Sequence, residues 1–214
     1  MAAARRAPRF TRKETAVRRG ELIEAALACL SDGGLSAFTI DRICREAGVS
    51  RGLISHHFDG KDGLLLAVYE TLTAHLSEAS LAGLRRLGAT PAERLAELIE
   101  ASFRPEIFNR RHLRAWLALW SEAATDPRLQ AAHRARYADY RSSLANALRA
   151  LARERGRAVD AKRLATMLIG LIDGLWLEWC LNPDAVSRKE ARAACSELIE
   201  SRLGPLAADY TKPR

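Results

Sequence analysis

The chain has 214 residues, of which 48% are hydrophobic and 28% are charged, a balance typical of soluble globular domains. A chain of this length can bury one or two hydrophobic cores, so it does not need disulfide bonds or bound metals to be stable. Its four cysteines form no Cys-x-x-Cys pair, which argues against a disulfide framework and against a zinc site. The formal net charge of +8 favours an anionic partner.

The positive charge is concentrated at the N-terminus, where residues 1–19 hold seven Arg or Lys against one Glu. We interpret residues 1–15 as a basic flexible arm, which either touches DNA phosphates or only solubilises the chain. No apolar run follows this start, so no secretory signal is predicted, although organelle transit peptides share its Arg-rich, acid-poor composition. The most apolar stretch, residues 164–181, contains Asp173 and Glu178 and is predicted to be too short and polar to span a bilayer. We therefore expect a cytoplasmic protein with no membrane partner.

Helix start and stop signals are clear in the first part of the chain. An apolar stripe at helical spacing is followed by two glycines at 33–34, which predict the end of a first helix. Thr39 is predicted to cap a short second helix that ends at Gly48, and Ser50 is predicted to cap a short third helix. A longer amphipathic helix begins near Lys61.

Longer helices are predicted after residue 88. The segments 90–93 and 187–190 have the pattern of capping boxes, and the first carries proline at the first helical position. Asp126 and Asp160 each precede a further helix with a long apolar stripe. The chain is thus predicted to form about nine helices and no convincing strand, and its fold class is all-α.

The two short helices joined by Gly48, Val49 and Ser50 have the pattern of a helix-turn-helix. Gly48 can adopt a backbone conformation that a Cβ atom would make unfavourable, and Val49 fills the angle between the two helices. The apolar positions face a three-helix core, and the side chains left outside are small, polar or basic, which suits a helix lying in the DNA major groove. The candidate DNA-binding residues are Thr39, Arg42, Arg51, Gly52, Ser55, His56, His57 and Lys61.

Positions within the motif suggest individual roles. Arg51 is the candidate for a bidentate contact with guanine, and Gly52 allows the backbone to approach the DNA closely. Thr39 stands at a helix N-terminus, where its hydroxyl and backbone N–H can hold a phosphate, and Lys61 is also placed for a phosphate.

The remaining candidates leave more alternatives open. Ser55 and His56 are placed to reach base edges or phosphates. Arg42 belongs either to the DNA-facing surface or to an ordinary solvated face. His57 either contacts DNA or packs against the neighbouring Phe58.

The run from Thr39 to Phe58, followed by Asp-Gly-Lys-Asp-Gly-Leu-Leu65, resembles the signature of the TetR family of repressors. Most of that family carries an aromatic residue where this chain has Ser55, and the Ile-Ser-His-His-Phe version is similar to the BetI-type choline-responsive repressors. The segments 114–120 and 171–177 resemble the ligand and dimerisation domain of the same group. The resemblance covers roughly residues 16–203.

The resemblance implies a division of the chain into four parts. After the arm, residues 16–76 are expected to form the DNA-binding domain, with the helix-turn-helix at 39–58. Residues 77–204 are expected to form a helical ligand-binding and dimerisation domain, and residues 205–214 a tail. The last two helices, roughly 160–181 and 188–203, either pair with those of a second subunit, as in the family, or form part of the core within one chain.

Aromatic residues in the C-terminal part recur in pairs that share a helix face, as at 116/120, 137/140 and 176/179. A cage of aromatic faces attracts a quaternary ammonium ion, and Asp173 can add a carboxylate to it. The alternative is that these residues are core or interface and that Asp173 is a buried structural acid. The candidate ligand-binding residues are Trp116, Trp120, Tyr137, Tyr140, Asp173 and Trp176.

The resulting expectation is a homodimeric repressor that binds a palindromic double-stranded DNA operator. The resemblance implies that choline or a related quaternary amine releases it, and that it controls genes for converting choline to glycine betaine. The alternative effector is an unrelated lipophilic or aromatic ligand. We expect no enzyme activity, cofactor or metal, because the sequence has no glycine-rich phosphate loop, no serine elbow and no His/Cys cluster at ligand spacing.

Overall fold

The computed structural model describes residues 12–206, with side chains from residue 15 onward, so most of the predicted arm and tail lies outside the described residues. Within that range the chain forms nine α-helices and no strand, which confirms the all-α prediction. In chain order the helices are α1 (Arg12–Ala37), α2 (Ile40–Ala47), α3 (Arg51–Phe58), α4 (Gly60–Leu84), α5 (Pro91–Ser102), α6 (Arg110–Ala123), α7 (Pro127–Glu154), α8 (Ala161–Leu181) and α9 (Arg188–Leu203).

The predicted capping residues define several of these helices. The Thr39 hydroxyl accepts a hydrogen bond from the Arg42 backbone N–H at 3.3 Å and so caps α2. Both predicted capping boxes are present, at the starts of α5 and α9. Each satisfies two backbone donors that a helix N-terminus otherwise leaves unpaired. Asp126 and Asp160 likewise accept a backbone N–H at the starts of α7 and α8.

One predicted cap differs from the structure, and one predicted helix end is confirmed. Ser50 occupies the N-cap position of α3, but its side chain makes no capping hydrogen bond, so the predicted cap is wrong in that detail. Gly33 and Gly34 both have non-helical backbone angles, so the first regular helix ends there as predicted, and a short second helical segment of α1 continues to Ala37. Gly34 has φ 63° and ψ −153°, a conformation open to glycine and costly for other residues, so the helix kinks there.

The described residues divide into two compact units between Thr71 and Leu72, within α4. In the first unit, α1, α2, α3 and the start of α4 surround a core of fully buried apolar side chains. These include Leu22, Leu30, Phe38, Ile43, Ile54 and Leu64. The second unit contains the rest of α4 and the helices α5 to α9, with its own core. That core includes Leu95, Leu98, Phe103, Phe108, Leu119, Leu144, Leu148, Leu168 and Ile199.

Two glycines permit close approaches between neighbouring segments. A Cβ on Gly63, near the start of α4, would lie 1.5 Å from the carbonyl oxygen of Phe58, so the turn between α3 and α4 requires glycine there. A Cβ on Gly83 would lie 2.6 Å from the side chain of Glu97 in α5. The start of α4 therefore packs closely against the end of α3 in the first unit, and the end of α4 packs closely against α5 in the second unit.

Helix α8 has two apolar faces. One face is buried in the core of the second unit, through Leu164, Leu168, Ile172 and neighbouring residues. The opposite face exposes Met167, Leu177 and Leu181. By length and composition α8 is apolar enough to cross a membrane, so the prediction that this stretch is too short and polar is wrong on those measures. The second apolar face explains the composition, because only 33% of the apolar stretch is buried within the chain.

Candidate DNA-binding and ligand-binding sites

The turn between α2 and α3 has the geometry that the sequence predicts. Gly48 adopts φ 64° and ψ 37°, the left-handed conformation that favours glycine. The N–H of Val49 donates to the carbonyl of Cys44 at 2.9 Å, which closes the end of α2. Ile43 and Ile54 are fully buried on the inner faces of the two helices, so the outer face of α3 is set by the core.

The outer face of α3 presents Arg51, Gly52, Ser55 and His56 to solvent. Arg51 forms an ion pair with Asp41 of α2, and their side chains remain 72% and 56% exposed. An exposed ion pair contributes about 0–1 kcal/mol, so Arg51 can exchange this carboxylate for a base edge at little cost. A Cβ on Gly52 would meet nothing within 4 Å in the free protein.

Arg42 and His57 are held by contacts within the first unit. The Arg42 guanidinium donates to the Asp32 carboxylate at 3.1 Å and is only partly exposed. The His57 ring lies 6.1 Å from the ring of Phe58 and 5.0 Å from that of His56. Burial lowers the pKa of His57, and the charges of its neighbours lower it further. Both side chains thus have structural roles whether or not they also contact DNA.

Thr39 and Lys61 are exposed at two helix starts. Thr39 already caps α2, and its hydroxyl hydrogen remains able to donate to a phosphate. The Lys61 ammonium lies 5.9 Å from the ring centre of Phe38. The aliphatic part of the lysine side chain therefore packs beside the edge of the core, and its charged group stays at the surface.

Arg18 and Arg19 of α1 lie close to the end of α3, and the sequence predicts no individual role for either of them. The Arg19 guanidinium lies 4.9 Å from the ring centre of Phe58, and Arg18 and Arg19 both lower the pKa of His57 through their charges. They therefore add positive potential beside α3. The only sequence signal for them is the general excess of basic residues before residue 20.

The second unit contains a small cavity of about 50 Å³ that opens to solvent. This is below the range of about 300–1,000 Å³ typical of small-molecule sites, so a bound ligand requires the side chains of the wall to move apart. Its wall is mainly apolar and aromatic, with several hydroxyl groups and two charged residues. The lining residues are Thr73, Leu76, Ser77, Ser80, Ser102, Trp116, Arg136, Tyr137, Tyr140, Ile172, Asp173 and Trp176.

Five of the six predicted ligand-binding residues line this cavity. Trp120 does not: its ring centre lies 5.6 Å from that of Trp116, and it lines a smaller adjoining cavity of about 10 Å³. Trp179, the partner of Trp176 in the sequence pairing, packs instead against Phe108, with ring centres 4.6 Å apart. Each tryptophan pair thus supplies one residue to the cavity and one to the packing behind it, whereas Tyr137 and Tyr140 both line the cavity.

Asp173 is the half-buried acid of the cavity. The Tyr137 hydroxyl lies 3.3 Å from both of its carboxylate oxygens and donates to them. Burial raises the pKa of Asp173 to about 7, and the hydrogen bond from Tyr137 offsets this only in part. Burial also raises the pKa of Tyr140, and the nearby Asp173 charge adds to that rise. The cavity therefore holds an acid whose ionised form is poorly compensated by its neighbours, so a cation beside it would favour that form.

Hydrogen bonds hold the surrounding wall in place. The Trp176 indole N–H donates to the backbone carbonyl of Ser102 at 3.1 Å, so its ring orientation is fixed. The Ser102 hydroxyl donates to the Leu98 carbonyl at 2.8 Å and lies 3.5 Å from that of Ser80. The hydroxyl residues and Arg136 could not be assigned from the sequence, since single serines and arginines in long helices have no distinguishing pattern.

No group of three or more His, Cys, Asp or Glu side chains that could hold a metal ion occurs in the described range 12–206. The four cysteines are free, and burial raises the pKa of Cys195 to about 12. Cys195 is therefore a neutral core residue.

Comparisons with known protein families cover both units. Residues 22–68 match the family described as bacterial regulatory proteins, tetR family. Residues 91–204 match the family described as BetI-type transcriptional repressor, C-terminal.

Named relatives extend over most of the chain. The HTH-type transcriptional regulator BetI of Pectobacterium carotovorum is 38% identical over 192 residues, which cover 87% of this chain and 94% of the relative. A second regulator, BetI 2 of Chromohalobacter salexigens, is 37% identical over 188 residues, covering 87% of this chain and 89% of the relative.

Solved structures have the same fold. A transcriptional regulator from Pseudomonas aeruginosa is 38% identical with a TM-score of 0.81, over 90% of this chain and 93% of that one. A regulator from Saccharomonospora viridis, crystallised in complex with choline, is 26% identical with a TM-score of 0.76, over 86% of this chain and 96% of that one.

Proposed function

Because this chain belongs to the TetR family and is a DNA-binding transcriptional repressor with a BetI-type C-terminal domain, we propose that it acts as a homodimer that a quaternary amine releases from its operator. The amine is choline or a close relative, and the controlled genes are those that convert choline to glycine betaine. The protein acts on chromosomal DNA in the cytoplasm. The single observation that carries the proposal is the poorly compensated Asp173 carboxylate within an aromatic cavity.

The DNA-reading surface is the outer face of α3. Arg51 pairs with a guanine, the backbone at Gly52 lies against the DNA, and Ser55 and His56 reach neighbouring bases or phosphates. Thr39 and Lys61 fix the register through phosphates. One short helix reads few base pairs, so the operator is a palindrome read by two copies of the chain.

The second apolar face of α8 is the proposed dimer surface. Met167, Gly170, Gly174, Leu177 and Leu181 are spaced by three and four residues, so they form one exposed stripe. A Cβ on either glycine would meet nothing within 4 Å in the chain. Small residues between large apolar ones allow a helix from a second copy to approach closely, as in a helix bundle.

The effector site is the cavity of the second unit. A quaternary ammonium cannot donate hydrogen bonds, so it is recognised by aromatic faces and by a nearby negative charge. Trp116, Tyr137 and Trp176 supply the faces, and Asp173 supplies the charge. The choline complex of the regulator from Saccharomonospora viridis supports the choice of ligand, because that chain has the same fold and is 26% identical.

Release follows from the position of α4 in the cavity wall. Thr73, Ser77 and Ser80 line the cavity, and Gly63 at the other end of the same helix packs against Phe58, the last residue of α3. A ligand that fills the cavity favours a different position of α4 and so of α3. A coupling of 1–3 kcal/mol, typical of allostery, weakens operator binding by about 5- to 150-fold.

Calorimetry with a matched pair of ligands tests this proposal. Choline is compared with its uncharged carbon isostere, the alcohol in which tert-butyl replaces the trimethylammonium group. A cation site binds choline about 30-fold more tightly, since a desolvated cation–π contact is worth roughly 2 kcal/mol. Equal affinity for the two ligands would contradict a cation site and would favour the alternative of a lipophilic effector.

A further inference from the structure

The wall of the effector cavity contains a second charged residue, Arg136 of α7. Within the described part of the chain its guanidinium makes no ion pair, and its charge is not among the causes that shift the pKa of Asp173. The two opposite charges therefore line the same cavity without forming an ion pair with each other. Arg136 repels a plain cation and attracts an anion.

Arg136 also marks where the cavity opens into a polar groove. Ser77, Arg136 and Tyr140 line both the cavity and this groove, and Arg136 and Tyr140 are one helical turn apart on the same face of α7. Across from α7 the groove is lined by Arg85, which follows the end of α4. One acid, Asp139, also lines it, so its charged groups are two guanidinium ions against one carboxylate.

The groove continues away from the cavity to a third arginine. Arg85 also lines the next stretch, together with Arg94 of α5. Arg136, Arg85 and Arg94 therefore follow one another along these adjoining stretches of the groove, which favours an anionic group there.

We infer that the effector site takes a quaternary ammonium compound that carries its own anionic group, such as a phosphate ester of choline. This inference rests on the proposed cation site and specifies its ligand. The ammonium head occupies the aromatic end beside Asp173, and the anionic oxygens face Arg136 at the mouth. A guanidinium ion donates paired hydrogen bonds to phosphate or sulfate oxygens, whereas plain choline leaves it unused.

Calorimetry with choline and phosphocholine on the full-length protein tests the inference. The parent protein is expected to bind phosphocholine at least about tenfold more tightly than choline, because a hydrogen bond to a charged group is worth that much or more. The variant Arg136→Gln is expected to lose this preference: its phosphocholine affinity falls at least about tenfold, and its choline affinity stays equal or rises. Glycine betaine, tested in parallel, shows whether a carboxylate close to the ammonium suffices.

Two variants control for charge and folding. Arg134→Gln removes the same charge from an exposed position of α7 outside the cavity, and it is expected to leave both affinities unchanged. Arg136→Lys keeps the charge and is expected to retain part of the preference. If choline binds but phosphocholine binds more weakly, or if Arg136→Gln shifts both affinities alike, the inference is overturned and the cation site stands. If neither ligand binds, the cation site itself fails, and the inference with it.

Discussion

The Tyr137 hydroxyl lies 3.3 Å from each carboxylate oxygen of Asp173, so one donor is shared between two half-buried acceptors. A buried carboxylate usually needs two or three good donors to remain ionised. Among the described residues, the Tyr137 hydroxyl of α7 is the one group that donates a hydrogen bond to Asp173, so burial dominates and raises the pKa of Asp173 to about 7. The acid is therefore poised to become a carboxylate when a cation enters.

Replacing Asp173 by asparagine is expected to stabilise the free protein at high pH. The pKa of the acid is about 7 in the folded chain and about 4 when unfolded, so its burial costs stability that grows as pH rises from about 4 to 7 and is constant above. Asparagine has no such cost. The melting temperature of Asp173→Asn relative to the parent should rise between pH 5 and pH 8, as measured by calorimetry without ligand. A melting-temperature difference that stays constant from pH 5 to pH 8 would contradict the raised pKa of Asp173.

Choline affinity is expected to increase with pH and then level off. The carboxylate of Asp173 must be ionised to attract the cation, and below about pH 7 binding must first remove its proton. Affinity at pH 6 should therefore be about tenfold lower than its limiting value, as measured by calorimetry. The other titratable groups nearby do not reproduce this, since burial raises the pKa of Tyr140 and lowers that of His133, which stacks on Tyr137. A flat profile between pH 6 and pH 8 would exclude Asp173 as the cation's partner.

Substituting Gly52 separates DNA contact from folding. Alanine at this position meets nothing within 4 Å and has a helix propensity better by about 1 kcal/mol, so Gly52→Ala should fold at least as stably as the parent. Its added methyl group lies between α3 and the DNA, so operator affinity in a fluorescence titration should fall at least about tenfold.

Gly63→Ala is the contrasting variant for this experiment. Its Cβ would lie 1.5 Å from the Phe58 carbonyl oxygen, so it should destabilise the first unit in thermal unfolding. An operator affinity of Gly52→Ala equal to that of the parent would mean that α3 does not approach DNA at this point.

A charge on the exposed stripe of α8 is expected to split the dimer. Gly174→Glu places a carboxylate among Met167, Leu177 and Leu181, and burying it against a second copy costs several kcal/mol. Sedimentation should show the monomer mass for this variant and the dimer mass for the parent. The control Ala138→Glu adds the same charge at an exposed position of α7 and should remain dimeric. If Gly174→Glu sediments as the parent does, the dimer surface lies elsewhere.

The sequence predicted those parts of the fold that depend on local chemistry. Capping boxes, the left-handed glycine at 48 and apolar stripes act within a few residues, so they place helix ends and core faces without tertiary knowledge. Because these signals act only within a few residues, the sequence predicted the ligand-binding residues less accurately than the helices. Trp116 and Trp120 share a helix face, yet only the tertiary packing determines that the first lines the cavity and the second lies behind it.

Residues that enter the site from distant segments gave no sequence signal. Ser102 accepts the Trp176 indole N–H across 74 positions, and Arg136 reaches the cavity mouth from the middle of a 28-residue helix. Gly63 is required only because the chain turns back on Phe58, a contact that helix propensity would oppose.

The central claim is that a cation in the Asp173 cavity weakens operator binding. The most direct test is a fluorescence-anisotropy titration of DNA from upstream of the protein's own gene, at fixed salt, with and without millimolar choline, for the parent and Asp173→Asn. We predict that choline weakens binding by about 5- to 150-fold in the parent and has no effect on the variant, which binds DNA as the parent does without choline. Specific DNA binding that choline leaves unchanged in the parent, or weakens equally in both proteins, would contradict the claim.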